Sequence, residues 1–126
     1  MVITVSALVF VALMGVVIIF QACLAAGVPW GAASMGGKYP GTYPPRMRVV
    51  AVANMLLLTF IACIVLAEAN LALAPLKPLA SVGIWFVVVF SGLGTVLNTI
   101  TPSKIERIWA PVALVHLITS LLIAIR

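Results

Sequence analysis

The sequence predicts an all-α fold, a single membrane-embedded, antiparallel four-helix bundle that occupies residues 1–126. Two observations predict it. Four apolar stretches are each long enough to cross a bilayer, because about 20 apolar residues at 1.5 Å per residue span about 30 Å of hydrocarbon. Hydrophobic residues make up 65% of the chain and charged residues only 7%, whereas a soluble domain has about a quarter charged residues.

The predicted helices cover residues 2–27, 47–71, 79–100 and 104–125. The first ends at Gly27, since Pro29 prevents its continuation. Its amino end has no Lys or Arg, and its apolar stretch is longer than the core of a signal peptide. We therefore interpret it as a retained helix.

The connection after the first helix, residues 28–45, contains four prolines and four glycines and has no helical or strand periodicity. We predict a structured loop there, which we call connection one. Connection two, residues 72–78, is short, so the second and third helices should be antiparallel neighbours.

The third connection, residues 101–107, precedes the fourth helix. Ser103 is followed three residues later by Glu106, which is the spacing of a capping box and predicts a helix start near Lys104. Pro111 then lies inside the helix and predicts a kink.

Basic residues predict the orientation. Five of them lie in or beside the first and third connections and only two on the opposite side. By the positive-inside rule, residues 28–45 and 101–107 should be cytoplasmic and both termini outside, in a multi-pass protein of the cell membrane. The same basic residues, with interfacial tryptophans, should contact anionic lipid headgroups. These predicted anchors are Trp30, Lys38, Arg46, Arg48, Lys104, Arg107 and Trp109.

His116 is the only histidine and lies near the middle of the fourth helix. An intramembrane ionisable group indicates a proton relay or a polar ligand site. Alternatively, a neutral imidazole hydrogen-bonds a carbonyl or the neighbouring Thr119 or Ser120 and serves helix packing. We prefer the packing interpretation.

Glu68 is the only acidic residue in the apolar part of a helix, near the outer end of the second. It could accept a proton or cation at an outer vestibule. We prefer to interpret it as an interfacial carboxylate near Lys77, because boundary charges cost little.

Gln21, Asn54 and Asn98 all lie within about two turns of the cytoplasmic ends of their helices. This polar cluster could close over a small ligand. It could equally fix connection one against the bundle, since irregular backbone at membrane depth needs protein partners. We prefer the second interpretation.

The sequence contains no carboxylate pair, no Ser/His/Asp set with a buried acid and no metal-ligand cluster, so we predict no catalytic residue, metal or other cofactor. The basic face is too small to predict nucleic-acid binding.

Motifs spread over most of the chain resemble a known group. They are Trp30-Gly31, Gly36-Gly37, Gly41, Pro44-Pro45, Arg46, Arg48, Asn98, Ser103, Glu106-Arg107, Trp109 and Pro111-Val112. Together they resemble small bacterial four-span integral membrane proteins of uncharacterised function. The resemblance implies fold and topology and no activity. Small multidrug transporters, fluoride channels and membrane glutathione transferases fit less well, because their characteristic motifs are missing.

Three functions remain open. The first, which we prefer, is a non-catalytic subunit or scaffold that associates with lipids or membrane partners, as a homo-oligomer or in a larger complex. The second is a small oligomeric channel or transporter that uses His116 and the Gln21, Asn54 and Asn98 cluster. The third, with least support, is an enzyme that holds a lipid-like substrate against connection one.

Overall fold

A computed structural model describes residues 1–126. It contains four α-helices, namely α1 (Val2–Ala26), α2 (Pro45–Glu68), α3 (Lys77–Ile100) and α4 (Trp109–Ala124). Single 3₁₀ turns lie in the connections, at Gly31–Ala33, Met35–Gly37, Ala74–Leu76 and Glu106–Ile108. Four helical segments, counting the turns before α3 and α4, are long and apolar enough to cross a membrane. The predicted all-α class with four helices is confirmed.

The helices form a ring in which α1 contacts α2 and α4, and α3 contacts the same two neighbours. The main apolar core joins the first half of α1, the second half of α2, the first half of α3 and the end of α4. Its completely buried side chains include Phe10, Ile61, Val65, Ile84 and Val87. A smaller cluster packs connection one against the end of α1 and the start of α2, and includes Phe20, Leu24, Tyr43 and Met47.

Three helix boundaries, both ends of α2 and the start of α3, differ from the prediction by two or three residues. Helix α2 begins at Pro45, which takes the first helical position, where a missing backbone N–H costs nothing. It ends at Glu68, and Asn70 then adopts a left-handed conformation at φ 60°. Helix α3 begins at Lys77, before Pro78.

Helix α4 begins at Trp109, five residues after the predicted start, and the 3₁₀ turn Glu106–Ile108 precedes it. Pro111 is therefore the third residue of the helix, where a backbone N–H would have no intrahelical partner and its absence in proline breaks no hydrogen bond. The predicted kink inside the helix is wrong for this reason. Sixteen α-helical residues and three 3₁₀ residues together span about 30 Å, which is enough to cross the hydrocarbon.

Candidate functional site

A cavity of about 260 Å³ lies inside the ring and is lined by side chains from all four helices and from the turn before α4. Most of the side chains that line it are apolar, among them Met14, Leu58 and Phe90. Four of the five ligand candidates proposed from the sequence line it. Its polar lining consists of Gln21, Asn54, Ser91, Asn98, Glu106 and His116. The histidine and the three carboxamides, which the channel or transporter hypothesis combines in one function, thus line one cavity.

The His116 side chain is buried, with 5% of the residue exposed. Its ring packs on Phe10 with the ring centroids 4.5 Å apart. Its Nε2 atom is buried and has no hydrogen-bond partner. Buried polar atoms without partners are rare in folded proteins, so Nε2 is available for a further hydrogen bond.

Neither neighbouring hydroxyl contacts the imidazole by a hydrogen bond. Ser120 donates to the backbone carbonyl of His116 at 2.6 Å, and Thr119 donates to the carbonyl of Val115 at 2.7 Å. Such bonds to a carbonyl one turn back are the usual solution for a hydroxyl inside a helix. The part of the packing interpretation that paired the imidazole with Thr119 or Ser120 is therefore wrong. The part that paired it with a backbone carbonyl is not, because the imidazole lies beside the Phe10 backbone.

The carboxamides do not fix connection one. Asn98 Nδ2 donates to the carbonyl of Gly94 in its own helix at 2.7 Å, and Gln21 Oε1 is buried with no partner. No hydrogen bond joins Gln21, Asn54 or Asn98 to residues 28–45. The preferred interpretation of these three residues is wrong, because other residues hold the loop.

Three side chains in the third connection and at the first residue of α4 hold connection one. The hydroxyl of Ser103 donates to the carbonyl of Ala32. Glu106 Oε1 accepts from the backbone N–H of Gly36 at 3.1 Å. The indole Nε1 of Trp109 donates to the carbonyl of Ala33 at 3.0 Å. Connection one therefore depends on the third connection for partners.

The predicted capping box is half present. The Glu106 N–H donates to the Ser103 hydroxyl at 3.3 Å, as the motif requires. The Glu106 carboxylate does not return to the Ser103 N–H, which donates instead to the Thr101 hydroxyl oxygen at 3.3 Å. Glu106 Oε1 instead accepts from the Thr101 hydroxyl and from the Gly36 N–H of connection one. The Glu106 side chain thus bonds to a distant segment and also lines the cavity.

Connection one is closely packed. The Gly31 N–H donates to the Gly41 carbonyl at 2.8 Å, and a Cβ atom at Gly31 would lie 1.8 Å from the Tyr39 carbonyl oxygen. The buried hydroxyls of Ser34 and Tyr43 share a hydrogen bond. Burial raises the pKa of Tyr43, the Ser34 hydrogen bond partly lowers it, and the negative charge of Glu106 raises it further. The Tyr43 phenol therefore stays neutral at physiological pH and serves as a structural hydrogen-bonding group.

Glu68 lies outside the cavity. Its carboxylate is 2.8 Å from Lys77 Nζ and accepts from the Ser81 hydroxyl at 3.1 Å. Lys77 also donates to the Glu68 backbone carbonyl at 2.7 Å. The pairing with Lys77 expected from the sequence is present, and the carboxylate closes the turn between α2 and α3.

The predicted headgroup anchors divide into two groups. Arg48 and Trp109 are partly buried and hydrogen-bond to backbone carbonyls; Arg48 Nε donates to the Ala25 carbonyl at 2.8 Å. Both tie the ends of the bundle to neighbouring segments. The exposed members are Trp30, Lys38, Arg46, Lys104 and Arg107, although Arg107 Nε also donates to the Thr101 carbonyl at 3.0 Å.

No family model, curated protein or solved structure matches this chain. The resemblance to small bacterial four-span proteins therefore stays a prediction. The functional conclusion depends on the chemistry of the cavity, in which no group of His, Cys, Asp and Glu side chains is arranged to hold a metal ion.

Proposed function

We propose that the protein is a small multi-pass membrane protein that binds an uncharged, hydrogen-bonding molecule in the cavity of its bundle. One observation carries the proposal. Gln21 and His116 line the same cavity, and each has a buried polar atom, Oε1 and Nε2 respectively, without a hydrogen-bond partner. Leaving a buried polar atom unpaired costs about 1–3 kcal/mol, and a bound polar group offsets that cost.

The charges around the cavity disfavour an anionic ligand. Glu106 is the only acid in the lining and no Lys or Arg lines it. The Glu106 carboxylate already accepts from Gly36 and Thr101. An anionic ligand would have no counter-charge in the lining, and burying an unpaired charge is unfavourable.

The cavity volume favours a small molecule or a small head group. A volume of 260 Å³ corresponds to about nine waters at ~30 Å³ each. This is just below the usual range for drug-sized ligands.

The packed core supports a binding site over an open pore. Phe10, Met14 and Ile84 belong to the buried core that adjoins the cavity. A channel or transporter would use the same polar residues and would need this core to open. The cavity contains one carboxylate and no carboxylate pair, and no hydroxyl donates to His116 Nε2, which supports a non-catalytic function. We retain the proposal of a homo-oligomer or larger membrane complex.

The proposed orientation has the bundle antiparallel in the cell membrane, with residues 28–45 and 101–107 cytoplasmic and both termini outside. The excess of basic residues in these two connections supports it. We expect a membrane-impermeant amine reagent added outside intact cells to modify Lys77 and not Lys38, as read by peptide mass spectrometry. Modification of both lysines from the same side would contradict the orientation, and permeabilised cells are the control for reactivity.

Phenol binding tests the proposed cavity function. Because His116 is the only histidine, selective ¹⁵N-histidine labelling reports on the cavity alone. We expect phenol, an uncharged probe with one hydroxyl, to shift the Nε2 resonance of the micellar protein until the site is saturated. Toluene, which has the same shape and no hydroxyl, should leave the resonance almost unchanged.

Matched variants locate the bound phenol. Gln21→Leu removes one partner and should weaken phenol binding about fivefold, since a hydrogen bond contributes about 1 kcal/mol. Thr59→Val is the control, because Thr59 is exposed and its hydroxyl donates only to the Met55 carbonyl of its own helix. Equal shifts with toluene, or a phenol shift that never saturates, would show that the cavity is not a polar binding site.

A further inference from the structure

An apolar groove of about 430 Å³ lies beside the polar cavity. It is formed by α1, connection one and the residues before α4, and no charged side chain lines it. Val16 is 50% exposed, Ile19 65% and Ile108 55%. The groove therefore faces outward from the bundle, toward whatever surrounds these helices.

Phe20 and Trp109 are the two residues that line both the groove and the polar cavity. Their rings pack with centroids 4.8 Å apart and planes inclined by 53°. The groove and the cavity are thus separated by one pair of aromatic rings. Trp109 is held by its bond to the Ala33 carbonyl, whereas the Phe20 ring has no polar group to hold it.

We propose that the ligand is an uncharged single-chain amphiphile whose head group binds between Gln21 and His116 and whose chain lies in the groove. The inference rests on the proposed function of the cavity and names the class of its ligand. Displacement of the Phe20 ring joins the two spaces, and Trp109 forms the remaining wall.

The shape and chemistry of the two spaces carry this inference. The polar cavity is small and is lined by Gln21 and His116, each of which has a buried polar atom without a partner. The groove is larger and lined by apolar groups. A molecule with a compact neutral head and one hydrocarbon chain matches both. A phospholipid does not, because its charged phosphate would need a cation in the cavity.

Tryptophan fluorescence tests the inference, since Trp109 lies at the junction. The chain has three tryptophans, so Trp30→Phe with Trp85→Phe leaves Trp109 as the only one. This protein is reconstituted in phosphatidylcholine vesicles with increasing amounts of 1-(9,10-dibromostearoyl)glycerol. We expect quenching that saturates at a few mole per cent and exceeds, by at least twofold, that from equally brominated phosphatidylcholine.

Three controls make the result specific. A protein with Trp85 alone reports on exposed α3 and should show quenching that rises with mole fraction without saturating. Gln21→Leu, placed in the Trp109-only protein, should raise the half-saturating concentration of the glyceride about fivefold. Ionised 9,10-dibromostearate should show no saturable quenching, because its carboxylate would be buried unpaired.

The quenching and phenol-binding results together distinguish the amphiphile inference from the proposed cavity function. If the glyceride quenches Trp109 no more than the brominated phospholipid does, the inference is wrong. It is equally wrong if the ionised fatty acid binds as well as the glyceride. If phenol still shifts His116 in either case, the proposed cavity function stands alone, and if phenol also fails, both proposals fall.

Discussion

Gly31→Ala is expected to disrupt connection one and to lower the free energy of unfolding by about 3 kcal/mol, the upper end of the usual cost of overpacking. The added Cβ would lie 1.8 Å from the Tyr39 carbonyl oxygen and 2.7 Å from the Gly41 carbonyl oxygen. Both atoms are backbone, so no side-chain rotation relieves the overlap. The loop would have to open, and the Gly31 N–H bond to Gly41 would be lost with it.

Thermal unfolding in detergent and tryptic cleavage at Lys38 measure this effect. We expect a lower Tm and faster cleavage in the Gly31→Ala protein. Gly15→Ala in α1 is the matched control, since nothing lies within 4 Å of its added Cβ. It should stabilise the helix by about 1 kcal/mol. Wild-type stability together with wild-type cleavage in Gly31→Ala would contradict the close packing of connection one.

Glu106→Leu is expected to lower the free energy of unfolding by about 2–3 kcal/mol, because hydrogen bonds to a charged group contribute more to stability than hydrogen bonds between neutral groups. The substitution leaves the Gly36 N–H and the Thr101 hydroxyl without their acceptor. Glu106→Gln keeps an acceptor oxygen in nearly the same place, so this variant should lower the free energy of unfolding by only about 1 kcal/mol.

Glu68 is the other acidic residue, and a substitution there shows whether the effect of Glu106 comes from its hydrogen bonds or from the loss of any negative charge. Glu68 pairs with Lys77, whose side chain is 39% exposed, so Glu68→Gln should cost less than 1 kcal/mol. Chemical unfolding of all three variants under one set of conditions gives the order. If Glu68→Gln were as destabilising as Glu106→Leu, the Glu106 bonds to connection one would not be important for stability.

The class of fold follows from the sequence because the length of an apolar stretch is a local property. Helices α1 to α3 each begin and end within three residues of the prediction. The start of α4 was harder to predict, because Ser103 and Glu106 have capping-box spacing while the Glu106 carboxylate turns to a partner 70 residues away. No local pattern indicates such a bond.

The candidate site was predicted residue by residue and not as a cavity. Gln21, Asn54, Asn98 and His116 are conspicuous as polar residues in apolar helices. Their convergence depends on how four helices pack, which periodicity does not determine. Trp109 is a second example. The sequence predicts only an interfacial tryptophan, whereas in the structure Trp109 lines both the polar cavity and the apolar groove.

The attachment of connection one has a consequence for biosynthesis. The side chains that hydrogen-bond to its backbone belong to Ser103, Glu106 and Trp109. They are 70 to 76 residues further along the chain. A ribosome that has just released connection one has therefore not yet made the groups that close it. Nascent chains arrested before residue 101 should present this segment in a protease-sensitive form, and it should become resistant only once the last hydrophobic segment has left the translocon.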